Sequence, residues 1–158
     1  MVNETAAFST GGREEMKQYN LHCNIAQTLN IIGDRWSLLI LHQMFLGRET
    51  FKEIQDNLEG IPTNLLSERL KTLESDELIK RSIYQSHPPR YKYVLTKKGY
   101  DLEDVFNSLI LWGQKHLNTC YKKLVHVNCN SIIEHRYYCP ICERNINEDE
   151  LIVKNPEE

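Results

Sequence analysis

What this chain lacks narrows it first. No stretch approaches the roughly 18 consecutive apolar residues of a membrane-spanning helix. The opening MVNETAAFSTGGREEMKQ is polar and has no apolar leader core. Both absences argue for a cytoplasmic protein with no membrane partner, in which thiols stay reduced. Cysteine is sparse and odd in number, five of 158 residues. Two of the five form a Cys-x-x-Cys pair, which reads as metal ligands plus spare thiols rather than as disulfides. Neither a phosphate-cradling loop nor a nucleophile-base-acid set is present, so the chain does not read as an enzyme. Acidic residues are missing from Lys80 to Lys98, where six basic ones stand: Lys80, Arg81, Arg90, Lys92, Lys97 and Lys98. The net charge of −3 does not advertise a nucleic-acid binder. Phosphate contacts act within about a Debye length, however, so a local basic stripe outweighs the sum.

What is present is ordinary globular material, 41% hydrophobic and 26% charged. Residues 1–18 show no periodicity and carry Gly-Gly at 11–12, which predicts a flexible arm. In LHCNIAQTLNIIG, residues Leu21, Ile25, Leu29 and Ile32 recur at helical spacing and Gly33 stops the run. Asp34 is placed to cap DRWSLLILHQMFLG, a helix apolar around most of its circumference and therefore buried. Thr50 and Glu53 form a capping box ahead of the apolar face Phe51, Ile54 and Leu58. After Gly60 and Pro62, a helix over 62–74 turns Leu66, Leu70 and Leu73 inward and Asn64, Ser67, Glu68 and Lys71 outward. These two short amphipathic helices make a helix-turn-helix outline.

The period then changes. IKRSIYQ and RYKYVLT are rich in β-branched and aromatic residues, and Ser86-His87-Pro88-Pro89 turns between them, which predicts a hairpin with a basic tip. Thr96 caps a long helix over 97–117 with the stripe Leu102, Val105, Phe106, Leu109, Trp112, His116. The fold class that follows is α+β and mainly helical: a winged helix-turn-helix with dimerisation helices and a small C-terminal zinc-binding appendage. Thr63, Asn64, Ser67 and Lys71 offer groups that suit a major groove, and His87, Arg90 and Lys92 sit on the wing. Arg69 lies nearer the buried edge and either contacts phosphate or pairs with an internal acid. Fold alone would also permit a protein-interaction module.

The run from Cys23 through IGDRWSLLIL, the Phe51 helix, LLSERLKTLE, HPPRYKYVLTKKG and WGQKHL resembles the HxlR-type winged-helix transcriptional regulators, relatives of the MarR group. The resemblance covers roughly residues 20–118. It implies a domain over 19–118 that binds double-stranded DNA sequence-specifically, as a homodimer, on a palindromic operator, chiefly as a repressor. It departs from the family at Asn24, where many members have proline. Residues 119–158 form a tail that resembles the H-x-x-C…C-x-x-C zinc-ribbon-like extension of some members. Its ligands are His126, Cys129, Cys139 and Cys142, two pairs at zinc-finger spacing, implying one zinc per chain. His135 or Cys120 could stand in for one ligand. Four ligands close the tetrahedron and leave no place for a reacting water, so the metal reads as structural. Asn130 and Glu143 stand where glycine usually follows the ligand cysteine. In the resembling family a cysteine at the position of Cys23 serves some members as a redox or electrophile sensor. The bland alternative is a small buried hydrophobe. An oxidant or small-molecule effector is thus an expected partner. The rival expectation is a polymerase-associated factor built of winged helix plus zinc ribbon, which binds protein instead of an operator.

Overall fold

The computed structural model describes residues 18–156; the expected arm at 1–18 lies outside them except for its last residue. Helix α1, Asn24–Ile32, starts at an extended Cys23. Asp34 then does as expected: its Oδ1 accepts the N–H groups of Trp36 at 2.9 Å and Ser37 at 3.1 Å. Helix α2, Ser37–Phe45, follows. It ends in a Schellman turn, with Gly47 N–H on Met44 O and Arg48 N–H on Gln43 O. Gly47 takes φ 81 there, a backbone that glycine adopts without strain.

Helix α3, Phe51–Asp56, has the full Thr50–Glu53 capping box, and α4 runs Thr63–Ser75. Ile54 from α3 and Leu66, Leu70 and Leu73 from α4 are buried against Ile40 and Leu41 of α2. The end of α4 is another Schellman turn, from Leu78 N–H to Leu73 O and from Glu77 N–H to Glu74 O. Here the left-handed residue is Glu77, at φ 60.

Strands β1, Ile79–Ser86, and β2, Pro89–Leu95, pair antiparallel from Ile79↔Leu95 to Ser86↔Pro89, with an irregularity between Ile83 and Gln85. The hairpin is anchored to the loop before α3, where Tyr93 N–H donates to Glu49 O at 2.6 Å and Thr50 bridges to Lys92. Ile79 and Leu95, at its base, join the core.

The long helix expected over 97–117 is broken. Thr96 Oγ1 accepts Gly99 N–H at 3.1 Å and caps α5, Lys97–Tyr100, after which α6 runs Glu103–His116. Beside the break Gly99 packs closely: a Cβ on it would fall 2.2 Å from Leu78 O. The short helix is thus seated on the start of β1, and the chain turns at Asp101–Leu102 before α6 returns Phe106 to the core.

The tail holds a second two-stranded sheet, β3 Tyr137–Cys139 and β4 Arg144–Ile146. An isolated bridge joins Val125 and Ile132. Arg144 pairs with Glu150 from the short 3-10 turn Glu148–Glu150, which holds that carboxyl down at about 2. No helix of the described residues is long and apolar enough to cross a membrane.

Candidate nucleic-acid interface

The first turns of α4 follow Pro62, whose extended backbone (ψ 141) lets the helix begin at once. Burial of Leu66, Leu70 and Leu73 fixes the rotation of α4 and leaves Thr63, Asn64, Glu68 and Lys71 exposed, with Ser67 half-buried. Thr63 Oγ1 accepts from Gln55 Nε2 at 2.7 Å, which ties the start of α4 to α3. The hydroxyl is therefore half-committed, whereas Asn64 and Lys71 point outward. A helix presenting short polar and cationic side chains in this way can enter a major groove.

Arg69 requires a correction. Its side chain is only 17% exposed and its Nε lies 3.1 Å from Oδ1 of Asp34, itself 5% exposed. The Nε–H makes no hydrogen bond, so the contact is ionic in character. Of the two expectations for Arg69, the internal acid is the one realised, because that residue faces α2 and not the outer side of α4. Asp34 was legible as a helix cap but not as this arginine's partner.

Lys92 also departs from expectation. Its ammonium donates to Glu49 Oε2 at 2.9 Å, and that hydrogen bond and charge raise its pKa. It is thus engaged at the foot of the hairpin and does not stand free on the wing. Arg81 is likewise occupied, 3.2 Å from Glu74 and with its guanidinium over Tyr91, and Lys98 donates to Asp76 O. His87 and Arg90 remain exposed at the hairpin tip. The basic stripe therefore narrows to Arg90, with Lys80 and Lys97 exposed behind it.

In the tail, the structure closes each ligand pair separately. His126 Nδ1 is 3.2 Å from Cys129 Sγ. Hydrogen bonds from the hydroxyl and backbone of Ser131 lower the Cys129 thiol to about 7. Backbone N–H groups of Cys142 and Ile141 lower the Cys139 thiol, and its bond and charge raise that of Cys142. The residues after the two second ligands, Asn130 at φ 56 and Glu143 at φ 51, are both left-handed. Glutamate thus adopts the backbone that glycine would supply more easily. One imidazole and three thiols form a donor set that suits zinc. The two pairs are not brought together, since no group of three or more such ligands converges among the described residues. Cys120 and His135 join neither pair: the first donates to Lys122 O at 3.4 Å and the second packs edge-on to Tyr137.

Cys23 is exposed, so in the single chain it is not the small buried hydrophobe of the bland alternative. Around it Leu21, Ile25 and Leu29 of the expected stripe face solvent, with Ile25 71% exposed, as do Val105, Leu109 and Trp112 of α6, whereas Ile32 is buried in the core.

A helix-turn-helix carrying an outward polar face, followed by a basic hairpin, defines a winged-helix protein. The chain belongs to the HxlR-like helix-turn-helix family, whose model matches residues 31–121. It is 33% identical over 107 residues to YtcD, an uncharacterized HTH-type transcriptional regulator of Bacillus subtilis, a match spanning 68% of this chain and 83% of YtcD. Among solved structures, PA1374 from Pseudomonas aeruginosa, a proposed transcription factor, superposes with a TM-score of 0.65 at 28% identity. That match covers 86% of this chain and 94% of the other. The redox regulator HypR in its oxidized form aligns with TM-score 0.56 and 29% identity over 61% of this chain and all of HypR (100%). This chain is therefore a DNA-binding transcriptional regulator of the helix-turn-helix class. The comparisons lend no support to the polymerase-associated alternative.

Proposed function

We propose that the protein binds a palindromic operator as a homodimer and represses by occupying it. The observation that carries this reading is the pairing of an outward polar α4 face (Asn64, Lys71) with a wing whose exposed Arg90 has no acid partner among the described residues. The dimer is supported by the apolar side chains that α1 and α6 leave exposed among the described residues, Ile25, Leu29, Val105, Leu109 and Trp112. Joined across a two-fold axis, those faces would leave both α4 helices free to enter successive major grooves. An anisotropy titration tests the wing: Arg90→Ala weakens binding to all duplexes and flattens the salt slope by about one unit. Equal binding by parent and variant at every salt concentration would remove Arg90 from the interface.

His126, Cys129, Cys139 and Cys142 are proposed to hold one structural zinc per chain, joining the two turns into one ribbon. The ion would supply fixed shape, since a tail of this size has little core of its own. Metal analysis of protein prepared without chelators should give about one zinc per chain, with none in Cys139→Ser. Cys23 is the thiol best placed for an oxidant signal, by likeness to HypR and by its exposure at the start of α1. Cys23→Ser should then abolish any effect of mild oxidant on DNA binding, tested beside Cys139→Ser because zinc thiols compete for oxidant. An unchanged response would leave Cys23 without a sensing role.

A further inference from the structure

Between α2 and α6 lies a cavity of about 560 Å3, within the roughly 300–1,000 Å3 of small-ligand sites. Its walls are mostly apolar, built from Leu38, Phe106 and Ile110, with Leu109 at the edge it shares with the proposed dimer face. Two cationic side chains, Arg35 and Lys122, line it as well. Neither has a carboxylate partner among the described residues: Arg35 lies over the Trp36 ring, and Lys122 is bonded only through its carbonyl. The one carboxylate in the lining is Asp34, already engaged by Arg69 and by two N–H groups of the α2 start. His42 sits in the same wall, its pKa lowered by burial first and then by the charges of Lys122 and Arg48. The lining is therefore an apolar slot with uncompensated positive charge.

The same lining touches the recognition helix. Asp34 stands in the turn between α1 and α2, next in sequence to Arg35, and holds Arg69 of α4 at 3.1 Å. An anion drawn to Arg35 would pull on this turn and repel Asp34, and so would act on the contact that seats α4. A sub-ångström change at such a contact can bias how two recognition helices are spaced.

We propose that this cavity binds an apolar organic anion, and that the Asp34–Arg69 pair passes its occupancy to the recognition helix. The binding half stands on the cavity alone, and the coupling half rests on the DNA-binding role proposed above. Coupling is reciprocal, so whatever factor the anion imposes on DNA affinity, DNA imposes on the anion.

Calorimetry on the full chain tests both halves with 2-naphthoate as the probe and its neutral amide as the control. Naphthoate should bind about tenfold tighter than the amide, the expected effect of one charge-assisted contact. Arg35→Gln combined with Lys122→Gln should erase that difference, and Ile110→Trp, which fills the slot, should abolish binding of both. Adding a duplex enriched from a random pool should change naphthoate affinity about fivefold or more. Arg69→Met should remove that change, and because it bares Asp34 in the lining it should also weaken naphthoate in the absence of DNA. No heat of binding at about 1 mM probe, or equal affinity for anion and amide, overturns the site. Binding that survives Ile110→Trp overturns it too. A naphthoate affinity that ignores bound duplex overturns the coupling alone. If no duplex is enriched at all, the DNA reading fails while the naphthoate and amide titrations still decide the cavity.

Discussion

At the scale of single residues, two glutamates occupy backbone that favours glycine. Glu77 completes the Schellman turn of α4 at φ 60, with its carbonyl also accepting from Thr96 Oγ1 at 2.6 Å. A left-handed non-glycine residue costs about 1–2 kcal/mol, partly offset by the chain entropy that glycine loses on folding. Glu77→Gly should therefore stabilise the protein by up to about 1 kcal/mol in urea unfolding, and a loss of stability would show that the side chain contributes more than its backbone costs. Glu143→Gly should act likewise in the tail and slow the transfer of zinc to a chelator. Asp34 carries two duties, capping α2 and pairing with Arg69. Asp34→Ala removes both and should cost about 3 kcal/mol. Arg69→Met leaves the cap in place and should cost less, with no change in the salt slope of DNA binding. A reduced slope would return Arg69 to the phosphate-contacting set.

At the scale of elements, the box at the start of α3 makes the fold sensitive to acid. Glu53 accepts N–H bonds from Thr50 at 2.9 Å and Glu49 at 3.1 Å, and the Thr50 bond is the leading reason its pKa is lowered. A carboxyl depressed by folding stabilises the folded state above the unfolded value of about 4.3 and ceases to do so as pH falls through the folded value. Glu53→Gln should flatten the loss of stability below about pH 4.3, as followed by circular dichroism. An unchanged acid limb would mean the box forms without the charge. The same element shows what the sequence could and could not reveal. The box, the inward leucines of α4 and the hairpin were legible because each is a local pattern of spacing and turn residues. The break at Asp101–Leu102 was not, since it lies beside a contact, Gly99 on Leu78 O, that spans 21 residues of chain. Lys92 was misplaced for the same reason, and the choice left open for Arg69 could not be made from sequence. Each is held by an acid distant in sequence, Glu49 or Asp34, and a charge count cannot see that pairing.

At the scale of the whole molecule, the winged helix and the tail rest on different forces. The first has a shared apolar core, whereas nearly every tail side chain after residue 120 is exposed or half-buried. Chelation should accordingly raise amide exchange after about residue 120 and leave α2 to α4 protected. Equal loosening of both parts would mean that the tail braces the core. In the proposed homodimer the exposed side chains of α1 and α6 meet, and two copies of α4 related by a two-fold axis would read two half-sites. Selection of bound duplexes from a random pool by the full chain tests this most directly. The predicted result is an enriched palindrome whose half-sites lie about 34–36 Å apart, one turn of the double helix. Enrichment of a single unpaired half-site, or of nothing at all, would contradict it.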